Sequence, residues 1–375
     1  MKKKRLFAML FCSLAMASIL FSACKKEDDN NDTDNTTPTP TDTKRGYSGS
    51  ASYGDLVTFE INQTQHTYSV HNETTGLNEN GSYSIMNGEL NGIYKITNAT
   101  SSFYAVELAD KIIAANFPTG RTENNMSFGV SSSINNIGNE SNIAGSYIYM
   151  HFVDDAVNGN VRNKEWGIVS INANGTMKVQ PYATNGTGSM TTLGPEDFNA
   201  SLPLTTSLLD GTWNVNGTNH ERLNASITQQ PGSAFTGFAN TSASAPVFLL
   251  DMGTGNGFLI GLKINPSSLA QVAGLYKFVG VVADGSRIAN NVTINTNGTG
   301  NVVITNAAGS LEYESLANIT QCPNLPNVYF ADHLSGTPAT VTGKLYAVIS
   351  GDVAMYFIFD NQGFFNAYGA GAKMN

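Results

Sequence analysis

The side chains that most often carry out acid–base or metal chemistry are scattered along this sequence. Its histidines stand at five separate positions: His66, His71, His151, His220 and His333. His66 and His71 lie five residues apart in a segment typical of strands, and an odd separation places them on opposite strand faces. Neither His-Glu-x-x-His nor Cys-x-x-Cys occurs. The sequence therefore predicts no metal site and no cofactor.

Residues suited to covalent or proton-transfer catalysis do not form a recognisable set. Cys322 has no histidine close to it in sequence, so it is predicted to be a buried or incidental thiol. Asp154-Asp155 and Asp332-His333 fall in predicted loops, where a carboxylate beside a histidine is able to transfer protons. Loop residues without any chemical role are far commoner. The sequence therefore predicts a protein that is not an enzyme.

Aromatic side chains are the remaining lead to a binding site. The weak candidates for a ligand-binding face are Trp166, Tyr182, Trp213 and His220. Exposed rings flanked by amides or carboxylates often form the platforms on which sugars stack. The opposite interpretation is that these rings fill β-cores, as most aromatic side chains do.

The chain begins with a segment typical of exported proteins. Residues 1–5 read MKKKR, and the residues from Leu6 to Ala23 are apolar or small. A basic start followed by an apolar run is the pattern of a secretory signal peptide. Because about 18 apolar residues are able to span a bilayer, an uncleaved membrane anchor is the alternative.

The residues around Cys24 resemble the lipobox of bacterial lipoproteins of the Bacteroidota type. Ser22 and Ala23, both small, precede the cysteine, and Phe21 stands where the family most often has leucine. The resemblance implies cleavage before Cys24 and attachment of acyl chains, such as palmitate, to its thiol and its new amino terminus. Two or more acyl chains make a stable anchor, so the predicted partner of Cys24 is a membrane.

The segment after Cys24 points to the cell surface. Residues 25–29 (KKEDD) resemble the surface-export signal of the same lipoproteins, which implies the outer leaflet of the outer membrane. A merely solvated charge run is the alternative interpretation. Residues 30–45 contain no apolar residue except proline, so the segment 24–45 is predicted to be a disordered tether.

The charge of the chain excludes one class of partner. The full sequence has 20 basic and 29 acidic residues, a formal net charge of −9. Removal of the four basic residues in 1–5 makes the mature chain −13. A protein this acidic has no electrostatic attraction for nucleic acid, so no nucleic-acid partner is predicted.

Strand patterns occupy most of the body. Residues 57–61 (VTFEI) alternate in polarity, and the apolar run 353–359 (VAMYFIF) predicts a strand covered on both faces. Residues 76–80 (GLNEN) are predicted to be a turn, and 267–272 a turn or two of helix. The predicted fold class is all-β, with tandem antiparallel β-sandwich or small β-barrel modules.

A weak internal repeat suggests how the modules are arranged. Residues 143–147 (IAGSY) match 272–276 (VAGLY), and 169–176 (VSINANGT) match 292–299 (VTINTNGT). Hairpins that resemble each other by coincidence are the alternative. The predicted segments are a signal peptide (1–23), the tether (24–45), β module 1 (46–125), a linker (126–142), β module 2 (143–265) and β module 3 (272–375).

These features favour a non-enzymatic, lipid-anchored protein of the cell surface. Its modules would bind an extracellular glycan or another ligand. The alternative is a structural protein, either an adhesin or an assembly subunit bound to an outer-membrane protein. A hydrolase with an unrecognised site is the third interpretation.

Replacing Cys24 by serine tests the anchor. We expect C24S to incorporate no labelled palmitate, because serine lacks the thiol that receives the acyl chain. Metabolic labelling of cells that express each variant measures this. Cys12→Ser, which changes the other cysteine of the apolar run, is the matched control and should keep the label. Equal labelling of C24S and the parent would contradict the prediction.

Overall fold

Strands make up most of the computed structural model. It describes residues 43–97, 102–117, 126–131, 137–154, 161–162, 166–181, 209–215, 223–227, 234–305, 309–322, 325, 327–361 and 365–374. Cys24, Tyr182 and His220 lie outside these residues. Because the described helices are short and the strands many, the predicted all-β class is confirmed. None of the described helices is both long enough and apolar enough to cross a bilayer.

The first nine strands form an antiparallel sheet that curls into a ring, here called the first ring. They are β1 (Lys44–Ala51), β2 (Asp55–Asn62), β3 (Thr67–Asn72), β4 (Leu77–Ser82), β5 (Ser84–Ile85), β6 (Tyr94–Thr97), β7 (Ser102–Leu108), β8 (Ile112–Ala115) and β9 (Ser127–Ser131). β9 pairs with both β1 and β8. β4 pairs with β3, β5 pairs with β6, and only Tyr83 separates β4 from β5. The chain itself therefore joins the two ends of the sheet.

Parts of the first ring lie where the sequence predicted other structure. β9 falls in the predicted linker 126–142, and β1 includes the last two residues of the predicted tether. β4 begins inside the predicted turn 76–80, whereas the turn itself occupies 73–76. That turn prediction was wrong because β4 is mostly exposed and has no apolar alternation. Pairing with β3, rather than its own residue pattern, makes this segment a strand.

The next nine strands form the second ring. They are β10 (Gly145–Asp154), β11 (Val161–Arg162), β12 (Trp166–Ile171), β13 (Thr176–Pro181), β14 (Leu209–Val215), β15 (Leu223–Ile227), β16 (Ala234–Asn240), β17 (Val247–Asp251) and β18 (Phe258–Lys263). β18 pairs back onto β10, so eight of the strands close a circle. β11 is a short addition that pairs with the end of β10.

The last eight strands form the third ring, a closed barrel. They are β19 (Gly274–Val282), β20 (Arg287–Ile294), β21 (Gly300–Thr305), β22 (Leu311–Gln321), β23 (Val328–Ser335), β24 (Thr340–Ser350), β25 (Val353–Asp360) and β26 (Phe365–Met374). The described helices are two 3-10 turns, Gly88–Leu90 and Glu140–Asn142, and α1 (Leu269–Val272). α1 confirms the helical turn predicted at 267–272, and Ser268 and Gln271 form its capping box.

The predicted repeat is confirmed by equivalent starts of the second and third rings. Gly145 opens β10 and Gly274 opens β19, each with φ +146°, a conformation that L side chains rarely adopt. Two residues later, the hydroxyls of Tyr147 and Tyr276 donate to the backbone carbonyl four residues before each tyrosine. These distances are 2.6 Å and 2.7 Å.

In each of these two rings, a lysine on the last strand contacts the tyrosine at the start of the first strand. Lys263 pairs with Tyr147 across β18 and β10, and Lys373 pairs with Tyr276 across β26 and β19. Each ammonium donates, at 3.0 Å, to a backbone carbonyl just before its ring begins. Each also lies about 6 Å from the centre of the tyrosine ring, at 6.0 Å and 5.8 Å. We name this arrangement the Gly–Tyr–Lys clasp.

The second part of the repeat is a matching pair of hairpin turns. Residues 172–176 (NANGT) join β12 to β13, and 295–299 (NTNGT) join β20 to β21. In each turn the first residue's N–H donates to the last residue's carbonyl at 2.8 Å. The glycines have φ of 82° and 80°, which is why Asn-Gly recurs here.

The inside of each ring is filled by side chains. The third ring contains a cluster that includes Tyr276, Phe278 and Tyr356, and it leaves an apolar space of only about 20 Å³. That space holds little more than one water, so it is not a small-molecule cavity. Similar clusters fill the second ring around Tyr149 and the first around Phe59.

The outward faces of all three rings meet in a shared core. Phe128 of the first ring, Phe152 of the second and Phe357 of the third belong to this one cluster. The rings of Phe152 and Phe357 have centroids 5.6 Å apart. β25 is buried on both faces, as its apolar run predicted, because one face fills the third ring and the other fills the shared core.

Truncating the centre of the shared core should destabilise the protein strongly. We expect Phe357→Ala to lower the free energy of unfolding by about 3–5 kcal/mol, because it leaves a cavity where three rings meet. Tyr313→Ala is the control, since this ring is 63% exposed; its effect should stay within about 0.5 kcal/mol. Denaturant unfolding measures both, and equal losses would argue against the shared core.

Candidate functional site

The densest group of polar side chains lies inside the first ring, around Glu107 of β7. Its carboxylate accepts two hydrogen bonds from Arg45, at 2.7 Å and 3.0 Å. It also accepts from the hydroxyls of Tyr47 and Tyr94, both at 2.5 Å, and from the Gln63 amide at 3.0 Å. The Glu107 side chain is only 2% exposed. These five bonds use the carboxylate fully, so the group braces the ring rather than receiving a ligand.

The Glu107 group holds its tyrosines in the protonated form. Burial, followed by the negative charge of Glu107, raises the pKa of Tyr83 to about 12. Burial and the same carboxylate raise the pKa of Tyr47 and of Tyr94 further. The phenols therefore remain hydrogen-bond donors throughout the physiological pH range, which suits a structural brace.

The histidines with described contacts are engaged with protein groups. His151 Nε2 lies 2.7 Å from the backbone oxygen of Asn256. His333 Nε2 lies 2.6 Å from Glu314 Oε2, and its Nδ1 lies 3.2 Å from Thr342 Oγ1. A general base needs a ring nitrogen that is able to reach the substrate, and both nitrogens of His333 are occupied.

Asp332 and His333 do not form the loop pair that the sequence suggested. Both lie in β23, where successive side chains point to opposite faces. Asp332 pairs with Lys344 on one face, while His333 is buried on the other. The loop prediction was wrong because a polar Asp-His pair in a barrel strand looks like a loop when only its composition is considered.

An open groove crosses the outer face of β1, β2, β3 and β4, and it has a volume of about 550 Å³. The strand register arranges its outward residues in two rows, each running across all four strands. These rows are Ser48, Thr58, His71, Asn78 and Gly46, Glu60, Ser69, Asn80. Residues directly opposite each other in such rows are about 5 Å apart. We name this surface the polar groove.

The polar groove offers donors and acceptors at close spacing. His71 Nδ1 lies 2.8 Å from Asn78 Oδ1, and Lys44 Nζ lies 2.9 Å from Glu60 Oε1. Gly46 leaves space at the β1 end of its row, since a Cβ there would meet only a backbone oxygen, at 3.9 Å. Hydroxyl, amide, imidazole and carboxylate groups in this arrangement suit recognition of a polar ligand rather than bond cleavage.

The sequence-predicted candidates do not come together in this groove. Trp166 is 1% exposed and belongs to the shared core, so it presents no platform to a ligand. Trp213 lies in β14, on the second ring. Tyr182 and His220 lie outside the described residues.

Sequence reasoning missed most of the polar groove. Asn78 and Asn80 were assigned to a turn, although β4 carries both to the groove. His71 was considered only as a metal ligand, and it lies exposed in β3 beside Asn78. The usable signal was the alternation of 57–61, which puts Thr58 and Glu60 together on the outer face of β2.

Comparisons with known proteins give little further guidance. No protein-family model matches the chain, and no curated protein matches it. Two solved structures of Transferrin Binding Protein B, a vaccine antigen from Haemophilus parasuis Hp5, are similar to it at low levels. The double mutant has 8% identity and a TM-score of 0.28, with 88% of this chain and 76% of that chain covered. The single mutant has 9% identity and a TM-score of 0.27, with 90% and 77% covered.

A protein of unknown function from the DUF3598 family of Nostoc punctiforme PCC 73102 is similar at 10% identity and a TM-score of 0.19. That match covers 62% of this chain and 97% of the other. TM-scores this low do not establish a shared fold, and identities this low carry no ligand from one protein to another.

The Glu107 group should make the free energy of unfolding fall as the pH rises above 10. An unfolded tyrosine titrates near pH 10, whereas folded Tyr83 titrates near pH 12. Below pH 10 its stabilising effect is complete. Above pH 10 the unfolded chain loses a proton that the folded chain keeps, so stability falls by up to about 1.4 kcal/mol per pH unit for each such tyrosine.

We expect Tyr83→Phe to reduce this slope between pH 10 and 12, because phenylalanine has no proton to lose. Denaturant unfolding at a series of pH values measures the slope for the parent and the variant. Identical slopes in the two proteins would contradict the assignment.

Proposed function

We propose that the protein is a lipid-anchored, non-enzymatic binding protein of the cell surface, and that its polar groove recognises a neutral glycan. The anchor rests on Cys24 and the residues that flank it. The ligand rests on the groove, an open and largely polar concavity of about 550 Å³. The tether from 24 to 45 would hold this surface away from the membrane.

The side chains of the groove suit a ligand rich in hydroxyl groups. Thr58, Ser69 and Asn80 each provide both a donor and an acceptor, so either polarity of a sugar hydroxyl is able to pair with them. Opposite residues within each row lie about 5 Å apart, which places several such groups under one extended chain. No exposed aromatic ring lines the described groove, so hydrogen bonds rather than stacking would provide the affinity.

Charge narrows the glycan class to neutral ones. Lys44 pairs with Glu60 at the groove, while the mature chain as a whole has a net charge of −13. Sulfated or uronic-acid polymers would be repelled by this overall charge. A neutral polysaccharide meets no such barrier.

A protein partner that adds a strand is the second candidate. Among the described residues, β4 pairs with β3 on one side only, which leaves its other edge open. Leu77, in β4, is 46% exposed. Extended segments of other proteins pair with edges of this kind. This would suit an assembly subunit of an outer-membrane complex.

Filling the groove tests the glycan proposal. We expect the full chain to bind at least one neutral polysaccharide on an array, and Gly46→Phe to weaken that binding at least about tenfold. The new ring would fill the β1 end of the groove, where Gly46 has no side chain. Asn301→Phe, at an exposed strand position of the third ring, is the matched control and should bind as the parent does.

Two results would overturn the glycan proposal. One is unchanged binding by a folded Gly46→Phe variant, with folding checked by its melting temperature. The other is binding to no neutral polysaccharide. If a stoichiometric protein also co-purifies from intact cells, the strand-adding partner is favoured instead.

A further inference from the structure

A second cavity lies at one end of the third ring, away from the polar groove. It has a volume of about 350 Å³. Ile288, Ile304 and Ile358, on the inner faces of β20, β21 and β25, supply an apolar part of its lining. We name this cavity the cup. An apolar lining with polar groups at the mouth of a barrel is a common form of small-molecule site.

The polar part of the cup is negatively charged. Asp284, Glu312 and Glu314 line it, and no lysine or arginine does. Asp284 and Glu312 are exposed, while Glu314 lies deeper beside His333. Among the described residues, no three Asp, Glu, His or Cys side chains are grouped closely enough to hold a metal ion.

A buried acceptor lies one inward position deeper than the cup. Asn290 follows Ile288 on the inner face of β20 and is 1% exposed. Its Nδ2 donates to the Tyr356 hydroxyl at 3.0 Å, but no described group donates to its Oδ1. A buried amide oxygen without a donor is unfavourable by about 1–3 kcal/mol.

The repeat shows that the fold does not require a charged pair here. Val179 and Val302 occupy equivalent positions after the matching hairpin turns. Val179 pairs with Leu209, whereas Val302 pairs with Glu314. One strand further, the position equivalent to that of His333 belongs to Ile227. The second ring thus has leucine and isoleucine at the register positions where the third ring has glutamate and histidine.

We propose that the cup binds a small organic cation, in which a primary ammonium group is attached to an apolar body. The ammonium lies among the carboxylates, where charge-assisted hydrogen bonds hold it. The apolar body lies against the three isoleucines. This site is separate from the polar groove, so its test does not depend on the outcome of the glycan proposal.

Three probes of equal shape and different charge test the cup. Cyclohexylammonium, cyclohexanol and cyclohexanecarboxylate are each titrated calorimetrically into the detergent-solubilised full chain at low salt, with micelles alone as the blank. We expect binding in that order of affinity, with no detectable binding of the carboxylate. Absence of cyclohexylammonium binding at millimolar concentration, or equal binding of all three probes, overturns the proposal.

Variants locate the binding. Glu314→Gln keeps the shape and the contact with His333 but removes the charge, and should weaken cyclohexylammonium binding about tenfold. The double change Asp284→Asn and Glu312→Gln affects only exposed residues, so it keeps the test valid if Glu314→Gln fails to fold; it should weaken binding about threefold. Glu60→Gln in the polar groove is the control. Equal weakening by the control and the cup variants overturns the assignment.

Discussion

The structure depends on strands that bury both of their faces. β25 contributes Tyr356 and Ile358 to the interior of the third ring, while Phe357 and Phe359, the alternate residues, enter the shared core. β10 does the same in the second ring, with Tyr149 inward and Phe152 outward. A strand of this kind has no polar face, so it is stable only where a ring and a neighbouring ring cover it together. The three rings are thus joined by the same residues that build them.

This constraint decides where binding is able to occur. Aromatic side chains fill the ring interiors, and the joined outward faces are closed to solvent. The Glu107 group, although rich in polar atoms, satisfies itself and stabilises the first ring. Two kinds of surface remain open to solvent. One is an outer strand face that no other ring covers, as in the polar groove. The other is the end of a ring, as in the cup. The polar groove uses outward residues of the first ring, whereas the cup combines core isoleucines of the third ring with carboxylates at the ring end.

The sequence predicted those parts of the fold that depend on local backbone chemistry. Gly145 and Gly274 need positive φ, and the Asn-Gly turns need it again, so their recurrence revealed the repeat. The run 353–359 was apolar enough to predict a doubly covered strand. Strands that form because a neighbour pairs with them were missed, as in β4 and β9. The polar groove was missed for the same reason, since half of its two rows depends on the register of β3 and β4.

The comparison of the second and third rings separates the demands of folding from those of binding. Positions that both rings share, such as the Gly–Tyr–Lys clasp, close the barrel and order its start. Positions at which the two rings differ are not required for barrel closure. Where the second ring has Leu209 and Ile227, burying Glu314 and His333 in the third costs desolvation that a leucine would avoid. Their mutual contact at 2.6 Å offsets part of this cost without adding any support that the barrel lacks. The second ring shows that the barrel closes without a glutamate and a histidine at these positions. Their presence in the third ring, beside an open cup with two further carboxylates, is better explained by ligand binding than by packing.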